Sequence, residues 1–285
     1  MQKLRLAVQK KGRLSEDSLK LIKESGIKFS KSGGMLKAEA YNFPLEFLFL
    51  RDDDIPGYVE DGTADIGIVG QNEHAEKDKD VAVLKELGFS KCRLSIGVPK
   101  LTEYTGTKFL DGKSIATSYP VILKKWLDQN NISAEIHEIS GSVEIAPSIG
   151  LADAICDLVS TGSTLIQNGL KEAEAIFQSE AVLIGNKSIT PEKQAILDKL
   201  MFRIESVMRA SDKKYITLNC KEEHVEIITD LIPGVKSPSI THLAKKGWVS
   251  MHSVVNENDF WDVIDAVRDA GAEGILVLPI EKIIE

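Results

Sequence analysis

Cysteine is scarce in this sequence of 285 residues, which holds three cysteines, Cys92, Cys156 and Cys220. Their odd number, their wide separation and the lack of a CxxC pair argue against a disulfide framework and against a cysteine zinc site. The five histidines lack metal-ligand spacing as well, since the sequence has no HExxH motif and no cluster of cysteine with histidine. The composition therefore predicts free thiols in a reducing compartment and no dedicated structural metal.

Long apolar runs and an excess of positive charge are also missing. No stretch approaches the roughly 18 apolar residues of a membrane-spanning helix, and the apolar run at residues 4–8 is too short for a signal peptide. The 43 acidic residues outnumber the 35 basic ones, and the net charge of −8 argues against a broad nucleic-acid-binding surface. We expect a cytoplasmic protein that binds small anions through local cations and has no membrane or nucleic-acid partner.

The sequence does have an alternation of short apolar strands with helical patterns, which predicts an α/β fold. Strands are predicted at residues 4–8, 43–50, 64–69, 93–98, 113–117, 134–139 and 154–159. Helices are predicted after a cap at Ser15, at 143–150 and at 190–210. Gly-Thr-Ala-Asp at 62–65 and Gly-Leu-Ala-Asp at 150–153 each precede a strand. Two similar lobes that face each other across a cleft would explain this echo, and chance is the alternative.

The last part of the chain has a different order of elements, introduced by a polar linker at residues 211–214. Strand, helix, strand, strand, helix and strand are predicted at residues 215–220, 222–231, 237–243, 248–255, 259–270 and 274–278. This order is typical of a ferredoxin-like domain, a small sheet with helices on one face. The segment holds no catalytic constellation and predicts a regulatory or assembly domain. Core positions are expected for Cys156 and for Trp126, Trp248 and Trp261.

A loop of hydroxyl residues follows the strongest apolar strand, with Ser160, Thr161, Ser163 and Thr164 around Gly162. Glycine lets the backbone approach a ligand closely, and consecutive N–H groups at a helix start favour a phosphate. Asp157, four residues before Thr161, adds a carboxylate that accepts hydroxyl protons. The pattern suits a phosphorylated ribose, and an ordinary strand-to-helix turn with capping hydroxyls explains it about as well.

Three further clusters close predicted strands. Lys10, Lys11 and Arg13 surround Gly12 and suit a polyphosphate, although solvated surface charge is the commoner explanation of such a run. Arg51 is followed by three aspartates, which suit Mg²⁺ chelation or, more simply, the first turn of a helix. Residues 67–72 combine two glycines with an amide that suits reading of a base edge.

Together these motifs resemble the long form of the ATP phosphoribosyltransferase family, the enzymes that open histidine biosynthesis. The matching motifs run in register along essentially the whole chain: QKKGRL at 9–14, RDDDIPG at 51–57, DIGIVG at 65–70, ATSYP at 116–120, GSVEIAP at 141–147, GLAD at 150–153, TGSTL at 161–165 and NGL at 168–170. So long a run in register is a stronger signal than an isolated glycine motif.

The resemblance implies a fold similar to type II periplasmic binding proteins, with the active site in the cleft between two α/β lobes. Lobe I would comprise residues 1–91 and 181–211, lobe II residues 92–180, and a regulatory histidine-binding domain residues 212–285. The implied reaction transfers a phosphoribosyl group from 5-phosphoribosyl 1-pyrophosphate to N1 of ATP, with Mg²⁺ as cofactor. Feedback inhibition by histidine, AMP as a further ligand and dimers that assemble into hexamers are implied as well.

The resemblance also assigns binding residues at the positions that match family motifs. Those for phosphoribosyl pyrophosphate are Glu144, Asp153, Asp157, Ser160, Thr161, Gly162, Ser163, Thr164 and Leu165. Those for ATP or the product are Lys10, Lys11, Gly12, Arg13, Arg51, Asp65, Gly70 and Asn72. Those for histidine are Asn219, Ser237, Ser239 and Thr241, with asparagine at 219 where some members have an acid. Mg²⁺ would bind the substrate pyrophosphate, and no protein ligand of the metal and no acid–base residue is assigned.

Two other functions fit parts of the pattern. A two-lobed solute-binding protein would share the fold, but the lack of an export signal and the additional C-terminal domain argue against it. A catalytically silent regulatory paralogue would share the whole pattern, but residues 153–165 retain every chemical group that the transfer needs. The enzyme is therefore the preferred interpretation.

Overall fold

The computed structural model describes residues 2–232, 234 and 237–284. The chain folds into two units, one formed by residues up to 23 with 27–197 and one by residues 24–26 with those from 198 onward. Among the described residues, no helix combines the length and the apolar character that a membrane crossing requires.

Fifteen strands and eight α-helices occur in the part of the chain that the structure describes. The strands are β1 (Leu4–Gln9), β2 (Lys37–Glu39), β3 (Leu45–Leu50), β4 (Ile66–Gly70), β5 (Ala82–Glu86), β6 (Cys92–Pro99), β7 (Ser114–Thr117), β8 (Glu135–Glu138), β9 (Ala154–Val159), β10 (Leu170–Ser179), β11 (Ala181–Gly185), β12 (Lys213–Lys221), β13 (Ser239–His242), β14 (Trp248–Asn256) and β15 (Glu273–Pro279). The helices are α1 (Arg13–Glu24), α2 (Ile55–Glu60), α3 (Gln71–Lys77), α4 (Pro120–Gln129), α5 (Ser163–Gln167), α6 (Pro191–Met208), α7 (Val225–Leu231) and α8 (Glu257–Asp269).

The first sheet has six strands in the order β2-β3-β1-β4-β11-β5. Strands β3, β1 and β4 run parallel to one another, whereas β2, β11 and β5 join in antiparallel pairs. Strand β4 is buried at four of its five positions, as near-continuous apolar runs in parallel strands predict. The parallel arrangement brings the carboxyl ends of β1, β3 and β4 to one edge of the sheet.

The second sheet has five strands in the order β10-β6-β9-β7-β8. Strands β9, β7 and β8 run parallel, and β6 is antiparallel to β9 and to β10. Cys156 of β9 is fully buried in a core cluster with Ile96, Ile115 and Leu123, as the sequence predicts. The carboxyl ends of β7 and β9 therefore lie next to each other at one edge of this sheet.

The third sheet has four antiparallel strands in the order β13-β14-β12-β15. With α7 and α8 between the strands, this is the predicted ferredoxin-like arrangement. Leu218 and Met251 of the two central strands pack with Ile228 of α7 and Phe260 of α8 in one core cluster. Both helices therefore pack against the same face of the sheet.

Two helix predictions are wrong in detail. Helix α1 begins at Arg13, two residues before Ser15, which is buried inside the helix and does not cap it. The chain has already turned at Gly12, whose φ of 101° suits glycine. Residues 143–150 contain only the 3-10 turn Val143–Ile145 and further turns, in a stretch that includes a proline, which lacks a backbone donor.

Other local predictions also need correction. Lys213 and Lys214 belong to β12 and not to a linker. Lys213 pairs with β14, and Lys214 pairs with both β14 and β15. Trp261 is 64% exposed on α8 and does not belong to the core, whereas Trp126 and Trp248 are half-buried. Strands β2, β5, β10 and β11 are not predicted from the sequence; β2 has only three residues, and β5 and β10 each contain adjacent charged residues.

Candidate active site

The loop of residues 10–13 continues from the carboxyl end of β1 and carries three exposed cations, Lys10, Lys11 and Arg13. The N–H of Lys10 donates to the carbonyl of Leu50 at 2.7 Å, which holds the loop beside the end of β3. Gly12 supplies the left-handed turn between these cations. The predicted cationic loop is therefore exposed at the edge where the parallel strands of the first sheet end.

Lys31 is a fourth cation beside this loop that sequence analysis missed. Its ammonium donates to the carbonyl of Lys10 at 2.7 Å and to Ser15 Oγ at 3.3 Å. It also lies 4.5 Å from the ring centroid of Phe49, a cation–π distance. Burial lowers the pKa of Lys31, and the charge of Glu16 opposes this effect. No motif marked Lys31, because it lies in a polar segment between α1 and β2.

A cavity of about 320 Å³ opens between the cationic loop and the segment around Lys31. Its lining consists of Lys10, Lys11, Lys31, Ser32, Gly33, Gly34 and Met35. Three ammonium groups line this small cavity, so it is suited to a polyanion whose phosphate oxygens can each pair with a cation.

Arg51 follows β3, and its guanidinium pairs with the carboxylate of Asp53 at 3.0 Å. Asp52 accepts a hydrogen bond from Gln9 Nε2 at 3.1 Å, and Asp52–Asp54 forms a 3-10 turn that leads into α2. No three His, Cys, Asp or Glu side chains converge as a metal site within the described ranges. The three aspartates therefore start a helix, and the structure gives no support to chelation of Mg²⁺ by them.

Asn72 is buried, and its amide is used inside the protein. Its Oδ1 accepts from Ser179 Oγ at 2.8 Å, and its Nδ2 donates to Glu73 Oε1 at 3.1 Å and to Tyr119 Oη at 3.3 Å. Gly70 makes room for this amide, since a Cβ at position 70 would lie 2.2 Å from Asn72 Oδ1. The Asn72 amide is therefore engaged within the protein, and its predicted contact with a base stays a prediction.

The hydroxyl loop at residues 160–164 continues from the carboxyl end of β9, and its four hydroxyl residues are exposed. Gly162 has a φ of 79°, and α5 begins immediately after it at Ser163. Thr161 Oγ1 lies 3.1 Å from Ser163 Oγ, and the carbonyl of Ser160 accepts from Arg93 Nη1 at 3.3 Å. The N–H groups of the first turn of α5 have no partner within the helix.

The side chain of Leu165 does not face the exposed surface of the hydroxyl loop. Its side chain is buried in the core cluster beneath the loop, together with Val159 and Leu170. Only its backbone is placed to face a ligand, so the hydrophobic side chain anchors the loop instead.

Asp157 lies within β9, three residues before the hydroxyl loop, and accepts the N–H of Leu158 at 2.8 Å. Burial raises the pKa of Asp157, the Leu158 N–H opposes that shift, and the negative charge of Glu144 raises the pKa further. Glu144 belongs to the turn Val143–Ile145. The structure therefore brings these two predicted carboxylates close together.

Two predicted site residues lie at the opposite ends of their strands. Asp153 precedes β9, whose six residues separate it by roughly 20 Å from the hydroxyl loop. Its carboxylate accepts the N–H of Ser114 at 2.9 Å. Asp65 precedes β4 in the same way and pairs with Lys193 at 2.7 Å. Both carboxylates therefore have structural partners, and the binding of phosphoribosyl pyrophosphate by Asp153 and of ATP by Asp65 stay predictions.

The functional edges of the two sheets meet at Tyr119, the residue that precedes α4. Tyr119 Oη donates to Glu73 Oε1 at 3.1 Å. Burial raises the pKa of Tyr119, and the negative charge of Glu73 raises it further. Asp157 of the second sheet and Asp52 of the first raise the pKa of this phenol as well. Through its hydrogen bonds with Glu73 and Asn72, Tyr119 joins the end of β7 in the second sheet to α3 at the end of β4 in the first.

Comparison with known proteins identifies the family. A family model described as ATP phosphoribosyltransferase matches residues 51–206, and one described as the HisG C-terminal domain matches residues 210–282. An ATP phosphoribosyltransferase from Cytophaga hutchinsonii is 64% identical over 282 residues, 99% of each chain. One from Bacteroides thetaiotaomicron is 54% identical over 281 residues, again 99% of each chain. The chain belongs to the ATP phosphoribosyltransferase family.

A solved chain of the ATP phosphoribosyl transferase (HisG:HisZ) complex from Thermotoga maritima shares 28% identity and a TM-score of 0.59 with the chain. The match covers 71% of this chain and 98% of that chain. Family membership confirms the predicted resemblance, the α/β core with a C-terminal domain and the enzyme class, a pentosyltransferase of histidine biosynthesis. The ATP phosphoribosyltransferase family requires a divalent metal ion.

The C-terminal unit of this ATP phosphoribosyltransferase brings most of the predicted histidine residues to the face of its sheet opposite α7 and α8. Asn219 and Thr241 both pair with Ser250, and Ser239 pairs with His252 one step along the strands. A cavity of about 500 Å³ adjoins this face, lined in part by Arg209, Lys213, Tyr215, Ser237, Ser239 and His252. Ser237 and Ser239 line the cavity, whereas Asn219 and Thr241 lie beside it.

Proposed function

We propose that the protein joins N1 of the adenine of ATP to C1 of 5-phosphoribosyl 1-pyrophosphate. The N1 lone pair forms the new bond while the bond from C1 to the pyrophosphate oxygen breaks, which inverts C1 and releases pyrophosphate. Adenine N1 carries no proton at neutral pH, and the nucleophile belongs to the substrate. The protein therefore needs no general base and no nucleophile, but it must hold two anions in line and neutralise the leaving group.

The observation that carries this proposal is the pairing of two loops within a member of this family. A loop of cations ends a strand of the first sheet, a loop of hydroxyls ends a strand of the second, and both edges meet at Tyr119. A cationic loop suits the polyphosphates, and a glycine-containing hydroxyl loop suits a phosphate on a sugar.

The phosphoribosyl substrate is proposed to bind at the end of β9. Thr161, Ser163 and Thr164 would donate to the 5′-phosphate together with the backbone around Gly162, whose φ of 79° opens the turn. Asp157 would accept hydrogen bonds from the ribose hydroxyls, with Glu144 beside it. Ser160 and Leu165 would contribute backbone groups, because the Leu165 side chain is buried.

ATP and the departing pyrophosphate are proposed to contact Lys10, Lys11 and Arg13, with Lys31 as an additional cation. Arg51 would reach the same substrate from its pair with Asp53. The divalent metal is proposed to be Mg²⁺, held by the pyrophosphate oxygens of the substrate, where it would supply further neutralisation of the leaving group.

Regulation by the C-terminal unit is proposed on the same basis. Residues 212–285 would bind histidine near Ser237 and Ser239 and inhibit the transfer, with AMP as a further ligand. Lobe I would comprise residues 1–91 and 181–211, in agreement with the position of β11 in the first sheet, and lobe II residues 92–180. A cytoplasmic location and assembly of dimers into hexamers stay predictions of the resemblance.

An absorbance assay with ATP, phosphoribosyl pyrophosphate, Mg²⁺ and pyrophosphatase, run with and without histidine, tests the proposal. We expect a product that requires both substrates and the metal and that histidine suppresses. Turnover that histidine does not inhibit would support the transferase activity and refute the proposed histidine site. Binding of both substrates in calorimetry without turnover would refute the transferase and favour the silent paralogue.

A further inference from the structure

The first turn of α4 is capped by a residue from elsewhere in the chain. Pro120 opens the helix without a backbone donor, and Tyr119, at the capping position, makes no side-chain cap. The next two donors are satisfied by one carboxylate: Glu76 Oε1 accepts the N–H of Val121 at 2.9 Å, and Glu76 Oε2 accepts the N–H of Ile122 at 3.0 Å. The start of α4 thus depends on a carboxylate more than 40 residues earlier in the sequence.

Glu76 is tied rigidly to the first sheet. It lies in α3, which begins at Gln71 directly after the end of β4, with no intervening loop. The N–H of Gln71 also donates to the carbonyl of Glu180, the residue directly before β11, at 2.9 Å. Helix α3 thus continues directly from a strand of the first sheet.

The start of α4 is tied just as directly to the second sheet. Tyr119 follows Thr117, the last residue of β7, by two positions, and its N–H donates to Thr117 Oγ1 at 2.9 Å. Thr117 pairs with Cys156 of β9, the residue before Asp157. The Glu76 carboxylate therefore joins the end of β4 in one sheet to the ends of β7 and β9 in the other.

Further contacts run along the same junction. Ser179 Oγ, at the end of β10 in the second sheet, accepts the Asn72 N–H at 3.1 Å and donates to Asn72 Oδ1 at 2.8 Å, so this pair holds the start of α3. Glu73, three residues before Glu76, accepts the Tyr119 O–H, and Asp78 pairs with Lys125 at 3.1 Å between exposed side chains. The contacts of Glu73 and Asp78 join side chain to side chain. Glu76 holds backbone N–H groups with both oxygens, and its negative charge lies at the positive end of the helix, so it fixes the orientation of the α4 backbone.

We propose that Glu76 is a positioning residue for the transfer reaction: its carboxylate sets the relative placement of the cationic loop and the hydroxyl loop by capping α4 across the two sheets. This inference rests on the proposed division of the two substrates between those loops. ATP is proposed to contact only the cationic edge, and the phosphoribosyl substrate is held mainly through its 5′-phosphate and ribose at the hydroxyl loop, with its pyrophosphate reaching the cationic edge. The loss of Glu76 should therefore leave binding of each separate substrate nearly unchanged. The in-line approach of N1 to C1, which needs both edges in register, should suffer.

The test compares Glu76→Ala and Glu76→Gln with wild type and with Glu60→Ala. Glu60 offers a matched control, because its carboxylate also accepts a backbone N–H, that of Asp80 at 2.9 Å, but entirely within the first sheet's own elements. Calorimetry measures binding of each substrate alone, and a single-turnover experiment with excess enzyme measures the chemical step free of product release. Thermal unfolding of each variant is followed in parallel.

For Glu76→Ala we expect a single-turnover rate lower by about tenfold or more, since small misplacements of reacting groups cost that much. The dissociation constants of the separate substrates should stay within about twofold, well under the tenfold that 1.4 kcal/mol represents. Glu76→Gln retains one acceptor oxygen and should be intermediate, and Glu60→Ala should react at the wild-type rate.

A Glu76→Ala rate equal to that of Glu60→Ala would overturn the inference. So would a loss of affinity for either single substrate as large as the loss of rate, because it would indicate local collapse of one edge. If Glu76→Ala does not fold, Glu76→Gln decides by the same two measurements. Failure of the wild-type enzyme to turn over would count against the proposed function instead, so the two failures are distinct.

Discussion

The carboxylates of Asp65 and Asp153 make the same contact in two different sheets. Each accepts the backbone N–H at the start of the neighbouring parallel strand, from Arg5 at 2.8 Å and from Ser114 at 2.9 Å. In return, the N–H of each aspartate donates to the carbonyl of that same neighbour. The sequence echo before β4 and β9 thus corresponds to one structural device used twice, at the ends of the strands that face away from the candidate site.

The glycines of the echo fit the same device. Gly62 and Gly150, each three residues before the aspartate, have φ values of 70° and 73°, so both loops turn in the left-handed conformation before the strand begins. Equivalent loops in two sheets support the interpretation of two similar lobes over chance similarity.

Asp65→Ala and Asp153→Ala should differ in their effect on stability although the contacts are equivalent. Asp65 is buried and pairs with Lys193, so its removal leaves a largely buried ammonium without its partner. The loss should cost about 3 kcal/mol of unfolding free energy. Asp153 is half-exposed, where water replaces the lost partner, and about 1 kcal/mol is expected. Urea unfolding followed by circular dichroism measures both, and equal losses would contradict this account.

The Asp153 contribution should also depend on pH. The hydrogen bond from the Ser114 N–H lowers the pKa of Asp153 below its ordinary value of 3.8. The folded state therefore gains stability from the ionised carboxylate above the unfolded pKa and loses it as the pH falls through the lowered one. The difference in stability between wild type and Asp153→Ala should shrink as the pH falls below 3.8.

Replacing Thr161 and Thr164 together by alanine should weaken the phosphoribosyl substrate selectively. Two hydroxyl donors to a phosphate would be lost, and KM for phosphoribosyl pyrophosphate should rise by about two orders of magnitude, since a hydrogen bond to a charged group contributes roughly 1.5 kcal/mol or more. KM for ATP should change little. Steady-state kinetics with Thr107→Ala as control measures this, and an unchanged KM for phosphoribosyl pyrophosphate would refute the assignment of the loop.

Glu144→Gln should move the acidic limb of the pH–rate profile to lower pH. Burial raises the pKa of Asp157, and the charge of Glu144 raises it further. If the ionised Asp157 holds the ribose, activity falls as the pH drops through this raised pKa. Removal of the Glu144 charge lowers the pKa of Asp157, so the variant should retain more of its maximal kcat/KM in acid. Glu135→Gln, an exposed change on β8, should leave the limb in place.

Lys31→Met should reduce kcat/KM by about two orders of magnitude, comparable with the loss of one charge-stabilising donor at a developing anion. The substitution removes the ammonium that holds the Lys10 carbonyl and faces the cavity with Lys10 and Lys11. Lys37→Met, at an exposed position of β2, provides a control of equal charge change. Equal kinetics for the two variants would show that Lys31 supports the loop without contributing to the reaction.

Many features of this protein could be predicted because they depend on local chemistry. Strand β9 was predicted at residues 154–159, where the structure has it, because an apolar run between turn residues has few other conformations. The cationic and hydroxyl loops were expected to follow β1 and β9 for the same reason. The order of elements in the C-terminal unit follows from alternating hydrophobicity, which the chain carries segment by segment.

Only the tertiary structure determined which residues that are distant in sequence contact each other. Asn72 was expected at a ligand, but Ser179, more than 100 residues later, takes its amide oxygen. Asp153 and Asp157 are only four residues apart in the sequence. Asp153 precedes β9 and Asp157 lies near its other end, so the two carboxylates have different surroundings. Lys31 and Glu76 belong to no motif, because their roles arise from groups brought beside them by sheet order. Local sequence sets strands and turns through backbone sterics and periodicity, whereas the surroundings of a polar side chain depend on which strands become neighbours.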